Sequence, residues 1–216
     1  MSERGSDRVG VVTLVALVVV IVAVQLSLPP SVTVGPIWLI PLLELSGIPI
    51  ALAVRHADGS GGMRLRRVVY AYLTLLVSAS VMNAVLLLVS MLQGDDTNGE
   101  YLLLAGFGVL LINVLSFGMV YWWLDAGGPL SRASAQPGAP DFLFPQQAAP
   151  TTWRPGLVDY LFTAYTNIIA FSPTDTMPLT HRVKILFTVQ SSAALLTIVI
   201  TLSRAINLIP GGAPGS

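Results

Sequence analysis

The sequence contains no cysteine among its 216 residues and only two histidines, His56 and His181. Without cysteine the chain forms no disulfide, offers no thiolate to a metal and carries no cysteine nucleophile. The two histidines stand far apart with no ligand-like spacing, so no metal site and no cofactor are expected. No nucleophile–base pair accompanies the acidic residues either. We therefore expect that the chain is not an enzyme and has no catalytic residues.

Charge is also scarce, because Asp, Glu, Lys and Arg make up only 10% of the residues. Soluble domains carry about 25% of charged residues. The net charge is zero, so no global field attracts nucleic acid, and nucleic acid is not an expected partner. Hydrophobic residues make up 54% of the chain and its mean hydropathy is +0.75. These values predict an integral membrane protein whose main partner is the lipid bilayer.

Five apolar segments reach or approach the length of about 20 residues that a helix needs to cross a membrane. They are residues 9–28, 34–54, 68–92, 101–124 and 185–202. The first is longer than the apolar core of a typical secretory signal, and no clear cleavage site follows it, so we expect a retained helix. The fourth ends in Tyr121, Trp122 and Trp123, which are expected to anchor it at the lipid headgroups.

The region between the fourth and last segments has a different composition, because residues 126–156 are rich in proline and glycine. Residues 157–171 follow, too short and too polar for a comfortable span but long enough for a re-entrant helix. We predict an all-α integral membrane bundle of about five transmembrane helices plus one re-entrant, pore-helix-like segment. The predicted parts are a four-helix membrane region (1–125), a loop (126–156), the re-entrant helix with the last span (157–209) and a tail (210–216).

The basic residues predict the orientation of the chain in the membrane. The loop after the second span contains several arginines, whereas the first and third loops contain no Lys or Arg; the arginines are Arg55, Arg64, Arg66 and Arg67. Because Lys and Arg concentrate in cytoplasmic loops, the N-terminus is predicted to be cytoplasmic. The C-terminus is then outside if residues 157–171 are re-entrant and inside if they span the membrane.

Residues 159–180 read DYLFTAYTNIIAFSPTDTMPLT, with Asp159 at the start, Asp175 in the middle and Pro178 and Thr180 at the end. The segment resembles the pore domain of potassium channels, in which a short helix, a Thr-Val-Gly-Tyr-Gly filter, an Asp and a Thr-Pro-x-Thr phrase precede the inner helix. Arg182 lies close to the basic residue often found at the head of that helix. The resemblance implies ion passage by a homo-oligomer, a tetramer if it is channel-like, with monovalent cations as partners.

The filter positions themselves depart from the potassium-channel pattern. The predicted pore-lining or filter-like residues are Ala170, Phe171, Ser172, Pro173, Thr174 and Asp175. Both filter glycines, which reach positive φ at little cost, are missing, and Pro173 fixes φ and removes an amide. Conduction without potassium selectivity is therefore expected. Alternatively, the segment is a connector in which Thr180 caps the last helix; the basic loops also place it on the cytoplasmic side, whereas channel pore loops enter from outside.

Three longer phrases give a second resemblance. They are residues 123–129 (WLDAGGP), 140–146 (PDFLFPQ) and 171–179 (FSPTDTMPL). The chain is similar in these phrases, and over nearly its whole length, to a family of bacterial, mainly actinobacterial, multi-pass membrane proteins. The resemblance implies location in a bacterial inner membrane and brings no particular activity with it.

Four polar residues fall near the middle of predicted spans: Glu44, Asn83, Asn113 and Gln190. Polar groups at this depth indicate either function or hydrogen bonds between helices. They lie near one depth and are candidates for a single polar cluster. No basic residue lies at the depth of Glu44, while Pro41 and Pro49 are expected to free backbone carbonyls nearby.

These observations support three hypotheses. The first is a channel-like protein that conducts ions without potassium selectivity. The second is a small proton-coupled or cation transporter built around Glu44, and the third is a non-transporting scaffold or accessory subunit. Oligomeric state discriminates between them, since four copies around an axis favour the channel.

Overall fold

The computed structural model describes residues 3–58, 63–93, 99–132, 138–148, 153–170 and 176–208. Its α-helices are α1 (Glu3–Ser27), α2 (Leu39–Asp58), α3 (Met63–Gln93), α4 (Gly99–Leu124), α5 (Pro129–Arg132), α6 (Leu157–Ile169) and α7 (His181–Leu208). Short 3-10 turns span Pro30–Val32, Asp125–Gly127 and Pro145–Ala148. Two strands, β1 (Phe142–Leu143) and β2 (Met177–Pro178), pair antiparallel. The all-α fold expected from the sequence is confirmed.

Three helical segments in the described part of the chain are long and apolar enough to cross a membrane. They are Arg66–Gln93, Leu103–Gly127 and His181–Ser203. Shorter apolar stretches, Val15–Ser27 in α1 and Leu39–Pro49 in α2, accompany them. The helix α2 begins at Leu39 rather than at residue 34, because Gly35 adopts a positive φ of 68° and Pro36 follows it.

Hydrogen bonds at one end of the bundle show which helix termini meet there. The Tyr101 hydroxyl, at the start of α4, donates to the backbone oxygen of Ser27, at the end of α1, over 2.9 Å. The hydroxyls of Ser90, near the end of α3, and Ser31 lie 3.2 Å apart. We call this the Ser27 end, where α1 and α3 finish and α4 begins.

The opposite end gathers the remaining termini, and we call it the Asp125 end. Asp125 follows α4 directly and its carboxylate accepts a hydrogen bond from the amide of Asp141, while Asp141 in turn binds Arg182 at the start of α7. The guanidinium of Arg66, near the start of α3, lies 3.4 Å from the position that a Cβ would take at Gly127. The helices α1, α3 and α7 therefore run toward the Ser27 end, and α4 runs in the opposite direction.

The centre of the bundle is α4, which packs against α1, α3, α6 and α7. An aliphatic core fills the space between the long helices and includes the fully buried Ile21, Leu76, Leu87 and Ile112. A second, aromatic core lies toward the Asp125 end. Its large members are Phe117, Tyr121, Phe142, Phe144, Tyr160 and Phe187.

Tyr121 lies inside this aromatic core, which corrects its expected role as a lipid anchor. Its side chain is fully buried and its ring centroid lies 5.0 Å from that of Phe187 and 5.4 Å from that of Phe142. Its two neighbours Trp122 and Trp123 are half-buried. At the end of α4, Tyr121 therefore packs inside the protein, and the half-buried Trp122 and Trp123 remain candidates for contact with the lipid headgroups.

Gly118 sets how closely α6 approaches α4. A Cβ at this position would lie 2.6 Å from Cδ2 and 3.1 Å from Cα of Leu161. The second distance involves backbone, so an added methyl group requires α6 itself to move. On the same helix, a Cβ at Gly108 would meet only the side-chain ends of Leu28 and Val24, at 3.1 and 3.2 Å.

We expect Gly118→Ala to destabilise the protein by about 1–3 kcal/mol, the usual cost of overpacking, because α6 is pushed away from α4. Gly108→Ala is the matched control and should cost less, since two mobile side-chain ends can give way. Thermal unfolding in detergent measures both. Equal effects of the two variants would show that α6 does not depend on close contact with α4.

Candidate functional site

The short helix α6 begins at the Asp125 end of the bundle. Its first turn is capped by Asp159, whose carboxylate accepts the backbone N–H of Gly156 over 2.7 Å. One residue on, the hydroxyl of Tyr160 donates to the Asp125 carboxylate, and both side chains are buried. A buried hydrogen bond to a carboxylate therefore fixes where α6 enters the bundle.

The far end of α6 stops part of the way along α7. The Asn167 amide donates to Oε1 of Gln190 over 2.8 Å, and Gln190 is the tenth residue of α7. At 1.5 Å per residue this contact lies about 14 Å below the start of α7, and the 13 residues of α6 span about 20 Å. Helix α6 is thus too short to reach the Ser27 end.

After α6 the chain comes back to the end from which it entered. The hydroxyl of Thr176 lies 3.1 Å from that of Thr163, and Met177 pairs with Leu143 in the two-stranded sheet. The backbone amide of Leu179 then donates to the carbonyl of Asp141 over 2.9 Å. Residues 157–180, which we call the α6 hairpin, therefore enter and leave the bundle at the Asp125 end.

The predicted filter-like residues follow α6 in the sequence, and most of them lie outside the described residues: Phe171, Ser172, Pro173, Thr174 and Asp175. Ala170, the sixth of the set, is exposed, and its amide closes the last turn of α6 on the carbonyl of Thr166 over 2.9 Å.

Gln190 is the centre of a buried polar cluster that joins three helices. Its Oε1 accepts from the hydroxyl of Tyr121 over 2.7 Å as well as from Asn167, and its Nε2 donates to the carbonyl of Ala164 over 3.1 Å. The hydroxyl of Ser191 donates to Oδ1 of Asn167 over 3.1 Å. Since buried amides are costly unless paired, the cluster fixes the rotation of α6 against α4 and α7.

A tight turn after α4 orients Asp125 toward the hairpin. Ala126, Gly127 and Gly128 have φ values of 50°, 80° and 96°, a region that strongly favours glycine. The turn is held by Arg132, whose guanidinium donates to the carbonyl oxygens of Trp122 and Asp125 over 2.8 and 2.7 Å. This explains physically why two glycines follow the acidic residue.

The same guanidinium covers the entry point of α6. The Arg132 guanidinium carbon lies 5.2 Å from the ring centroid of Tyr160, within the range of a cation–π contact. We call the five residues that close the Asp125 end the collar: Asp125, Arg132, Asp141, Tyr160 and Arg182.

Asp141 ties β1 to the start of α7. Its side chain is fully buried. It accepts two hydrogen bonds from Arg182, of which the one from Nε is 2.7 Å long, and a third, of 2.6 Å, from the hydroxyl of Thr180. Burial raises the pKa of Asp141, but hydrogen bonds from Arg182 and Thr180 outweigh it, so the pKa lies below its usual value. The Thr180 hydroxyl is bonded to Asp141 rather than to helix amides, which corrects its expected role as a side-chain cap.

The four polar residues predicted at membrane depth are all buried but do not form one hydrogen-bonded cluster among the described residues. Asn83 exchanges two hydrogen bonds with Gln25 of α1, at 2.7 and 3.4 Å, while Gln190 belongs to the α6–α7 cluster. Oδ1 of Asn113 and both carboxylate oxygens of Glu44 have no hydrogen-bond partner in the described part of the chain.

Sequence reasoning missed several members of the site. Gln25, Tyr121, Asn167 and the collar partners Asp125 and Arg132 were not predicted as site residues. The available signal for Asp125 was an acidic residue directly at the end of an apolar span, and for Asn167 an amide inside a short apolar helix. Neither signal identifies the hydrogen-bond partner of the residue, because that partner depends on how the helices are rotated and on the path of the loops.

No match is found when the chain is compared with protein-family models, with curated proteins and with solved structures. The described residues also contain no group of three or more His, Asp or Glu side chains placed to hold a metal ion.

We expect Asp141→Asn to destabilise the fold by about 1–3 kcal/mol at pH 7, because the Arg182 and Thr180 donors lose a charged acceptor. The pKa of Asp141 is lower in the folded protein than in the unfolded chain. The ion pair therefore stabilises the fold above about pH 4, and this contribution is lost as the pH falls through the folded-state pKa. Thermal unfolding in detergent at pH 7 and pH 3 measures the effect, and the difference from wild type should shrink at pH 3.

The control is Asp159→Asn, because asparagine can still accept the Gly156 amide. It should change stability little at either pH. A difference between Asp141→Asn and wild type that is the same at both pH values would contradict a role for the carboxylate charge.

Proposed function

We propose that the chain is a channel-like integral membrane protein in which the α6 hairpin is a re-entrant segment. The observation that carries this proposal is the path of the hairpin, which enters and leaves at the Asp125 end and stops at the level of Gln190. A membrane core is about 30 Å thick, so a helix of about 20 Å that begins at one surface ends inside it. The proposal involves no catalysis and no cofactor.

The C-terminal end of α6 is suited to a cation. The aligned peptide dipoles give a helix C-terminus a partial negative charge, which favours positive ions nearby. No Lys or Arg occurs between Arg154 and Arg182, so no basic side chain of the hairpin opposes this field. Non-helical backbone inside a membrane is tolerated where it is buried in protein or lines water, which suits a passage for ions. Monovalent cations are the proposed permeating species.

Several copies of the chain are proposed to surround the passage. One face of α6 is exposed and apolar: Val158, Phe162, Tyr165 and Ile169. One stripe of α7 is exposed and polar over its first half (Lys184, Thr188 and Ser192), and the exposed apolar Ile185 and Val189 lie beside it. A polar face on a membrane helix is more favourable against water or another protein surface than against lipid. We propose a homo-oligomer, a tetramer by its resemblance to potassium channels.

The proposed arrangement places five spans, α1, α2, α3, α4 and α7, in a bacterial inner membrane. The arginines at the start of α3 and the collar lie at the same end of the bundle, which supports a cytoplasmic N-terminus and a cytoplasmic Asp125 end. The α6 hairpin then enters from the cytoplasmic side. The resemblance to actinobacterial membrane proteins supports the choice of membrane.

Cysteine accessibility tests the re-entrant path directly, because the chain has no cysteine of its own. Arg154→Cys, before α6, and Met177→Cys, in the returning strand β2, should react with a membrane-impermeant maleimide from the same side, in inside-out vesicles. Met177 is 65% exposed and should be reachable. The control is Trp38→Cys, a 58% exposed position before α2, which should react in right-side-out vesicles.

Reaction of Arg154→Cys and Met177→Cys from opposite membrane sides would make residues 157–171 a full span and overturn the proposal. If all three variants react from the side opposite to the expected one, the re-entrant path stands and only the proposed orientation of the chain is wrong.

Ion flux tests conduction. We expect purified protein in liposomes to pass both potassium and sodium, with a preference for potassium of no more than a few-fold, because Pro173 and the missing glycines do not allow the usual ring of carbonyls. Flux is measured with potassium-loaded and sodium-loaded vesicles under the same voltage. Absence of any flux above empty liposomes counts against a channel, and strong potassium preference would show that another backbone segment coordinates the ion.

A further inference from the structure

Glu44 lies in a part of the bundle that the proposed ion passage does not use. It belongs to α2, whose main packing partners are α1 and α3, whereas α6 packs mainly against α4 and α7. Its side chain is fully buried, while its neighbours Leu42, Leu43 and Leu45 are 57%, 39% and 41% exposed. The side chain of Glu44 therefore points into the bundle, whereas those of the neighbouring leucines are exposed.

The carboxylate oxygens of Glu44 differ from the other buried carboxylates in their hydrogen bonding. Neither oxygen has a hydrogen-bond partner among the described residues. The hydroxyl of Tyr72 on α3 donates instead to the backbone oxygen of Glu44 over 2.8 Å. Tyr72 can lie this close because α2 has Gly47 beneath its ring, where a Cβ would come within 2.1 Å of a ring carbon.

The prolines of α2 make different contributions from those expected. Pro49 lies inside the helix and has no amide hydrogen, so the carbonyl of Leu45 loses its helical donor. Pro41 is the third residue of α2, where no intrahelical donor is needed, and frees no carbonyl inside the helix. The expectation that both prolines free a carbonyl of the helix therefore applies to Pro49 and is wrong for Pro41.

The described side chains of the elements that pack against α2 bring no Asp, Glu, Lys, Arg or His into hydrogen-bonding contact with Glu44. The described side chains of α1, from Val15 to Ser27, contain no ionisable group, and the ionisable group that faces Glu44 from α3 is Tyr72. The arginines of α3 precede Tyr72 by five residues or more, at the Asp125 end: Arg64, Arg66 and Arg67. Arg55, His56 and Asp58 of α2 follow Glu44 by eleven residues or more.

An ionised carboxylate without donors or a counter-charge is strongly disfavoured inside a protein or a membrane. A proton removes the charge with one bond, whereas an alkali cation needs several oxygen ligands at once. Among the described residues neither carboxylate oxygen of Glu44 is bonded to a hydroxyl or an amide that could help to complete such a set. We propose that Glu44 is a proton-binding site, which holds and exchanges a proton inside the membrane and is separate from the α6 hairpin.

Exchange of this proton requires water to reach the interior of the bundle. Several buried polar atoms of the described residues could bind such water, because they have no hydrogen-bond partner in the protein. Hydroxyls or amide oxygens without partners among the described residues occur on three further helices: Ser80, Asn113, Ser116 and Thr201. Buried polar groups of this kind are the usual places for internal water.

Infrared spectroscopy of the protein in lipid bilayers tests the proposal without relying on ion flux. The chain has three glutamates, Glu3, Glu44 and Glu100, so labelling glutamate with carbon-13 separates their bands from those of aspartate. At pH 7 we expect the C=O stretch of one neutral glutamic acid, which shifts in D₂O. This band should be lost in Glu44→Gln and kept in Glu100→Gln, the matched control at the exposed start of α4.

The wild-type spectrum alone can overturn the proposal, so it stays testable even if Glu44→Gln does not fold. Absence of a neutral glutamic acid band, together with a carboxylate band that changes when choline replaces sodium or potassium, would assign the site to an alkali cation instead of a proton. A carboxylate band that does not change when choline replaces sodium or potassium would show that Glu44 binds neither a proton nor an alkali cation. A neutral band that persists unchanged in folded Glu44→Gln would place the proton on another glutamate.

Discussion

The path of the C-terminal half depends on the buried carboxylates of Asp125 and Asp141. Asp125 receives Tyr160 from α6 and the amide of Asp141 from the loop, and Asp141 binds Arg182 at the start of α7. Buried carboxylates are tolerated only when their charge is met by donors, so removal of one partner would affect the others. Through these two residues, the end of α4, the loop, α6 and α7 are held as one unit at the same end of the bundle.

The interior of the bundle contains polar residues of two different kinds. Gln25 with Asn83, and Gln190 with Asn167 and Tyr121, satisfy one another, and such pairs account for helix position without any further role. Glu44 is buried to the same extent but differs in that no donor among the described residues binds its carboxylate. Unmet bonding capacity, rather than polarity at membrane depth, is therefore the feature that separates a candidate functional group from a structural one.

The sequence predicts the helices well and their partners poorly. Long apolar runs predict α1, α3, α4 and α7, and the short run 157–171 predicts α6, because length and hydropathy are local properties. The pairing of Gln190 with Asn167 depends on how α6 is rotated about its axis. The meeting of Asp125 with Asp141 depends on the turn at Gly127 and Gly128. Both are tertiary properties, so neither follows from spacing or composition.

Helix α3 is the element that connects Glu44 with the α6 hairpin. On one side Tyr72 binds the backbone of α2 at Glu44, and further along the helix Val77 and Val81 pack against both the aliphatic core and the aromatic core that holds Tyr160 and Tyr121. Close-packed interiors transmit small displacements because there is little free volume to absorb them. Through Tyr72, Val77 and Val81, α3 therefore joins the surroundings of Glu44 and those of the hairpin in one continuous packed interior, although the two sites share no hydrogen bond among the described residues.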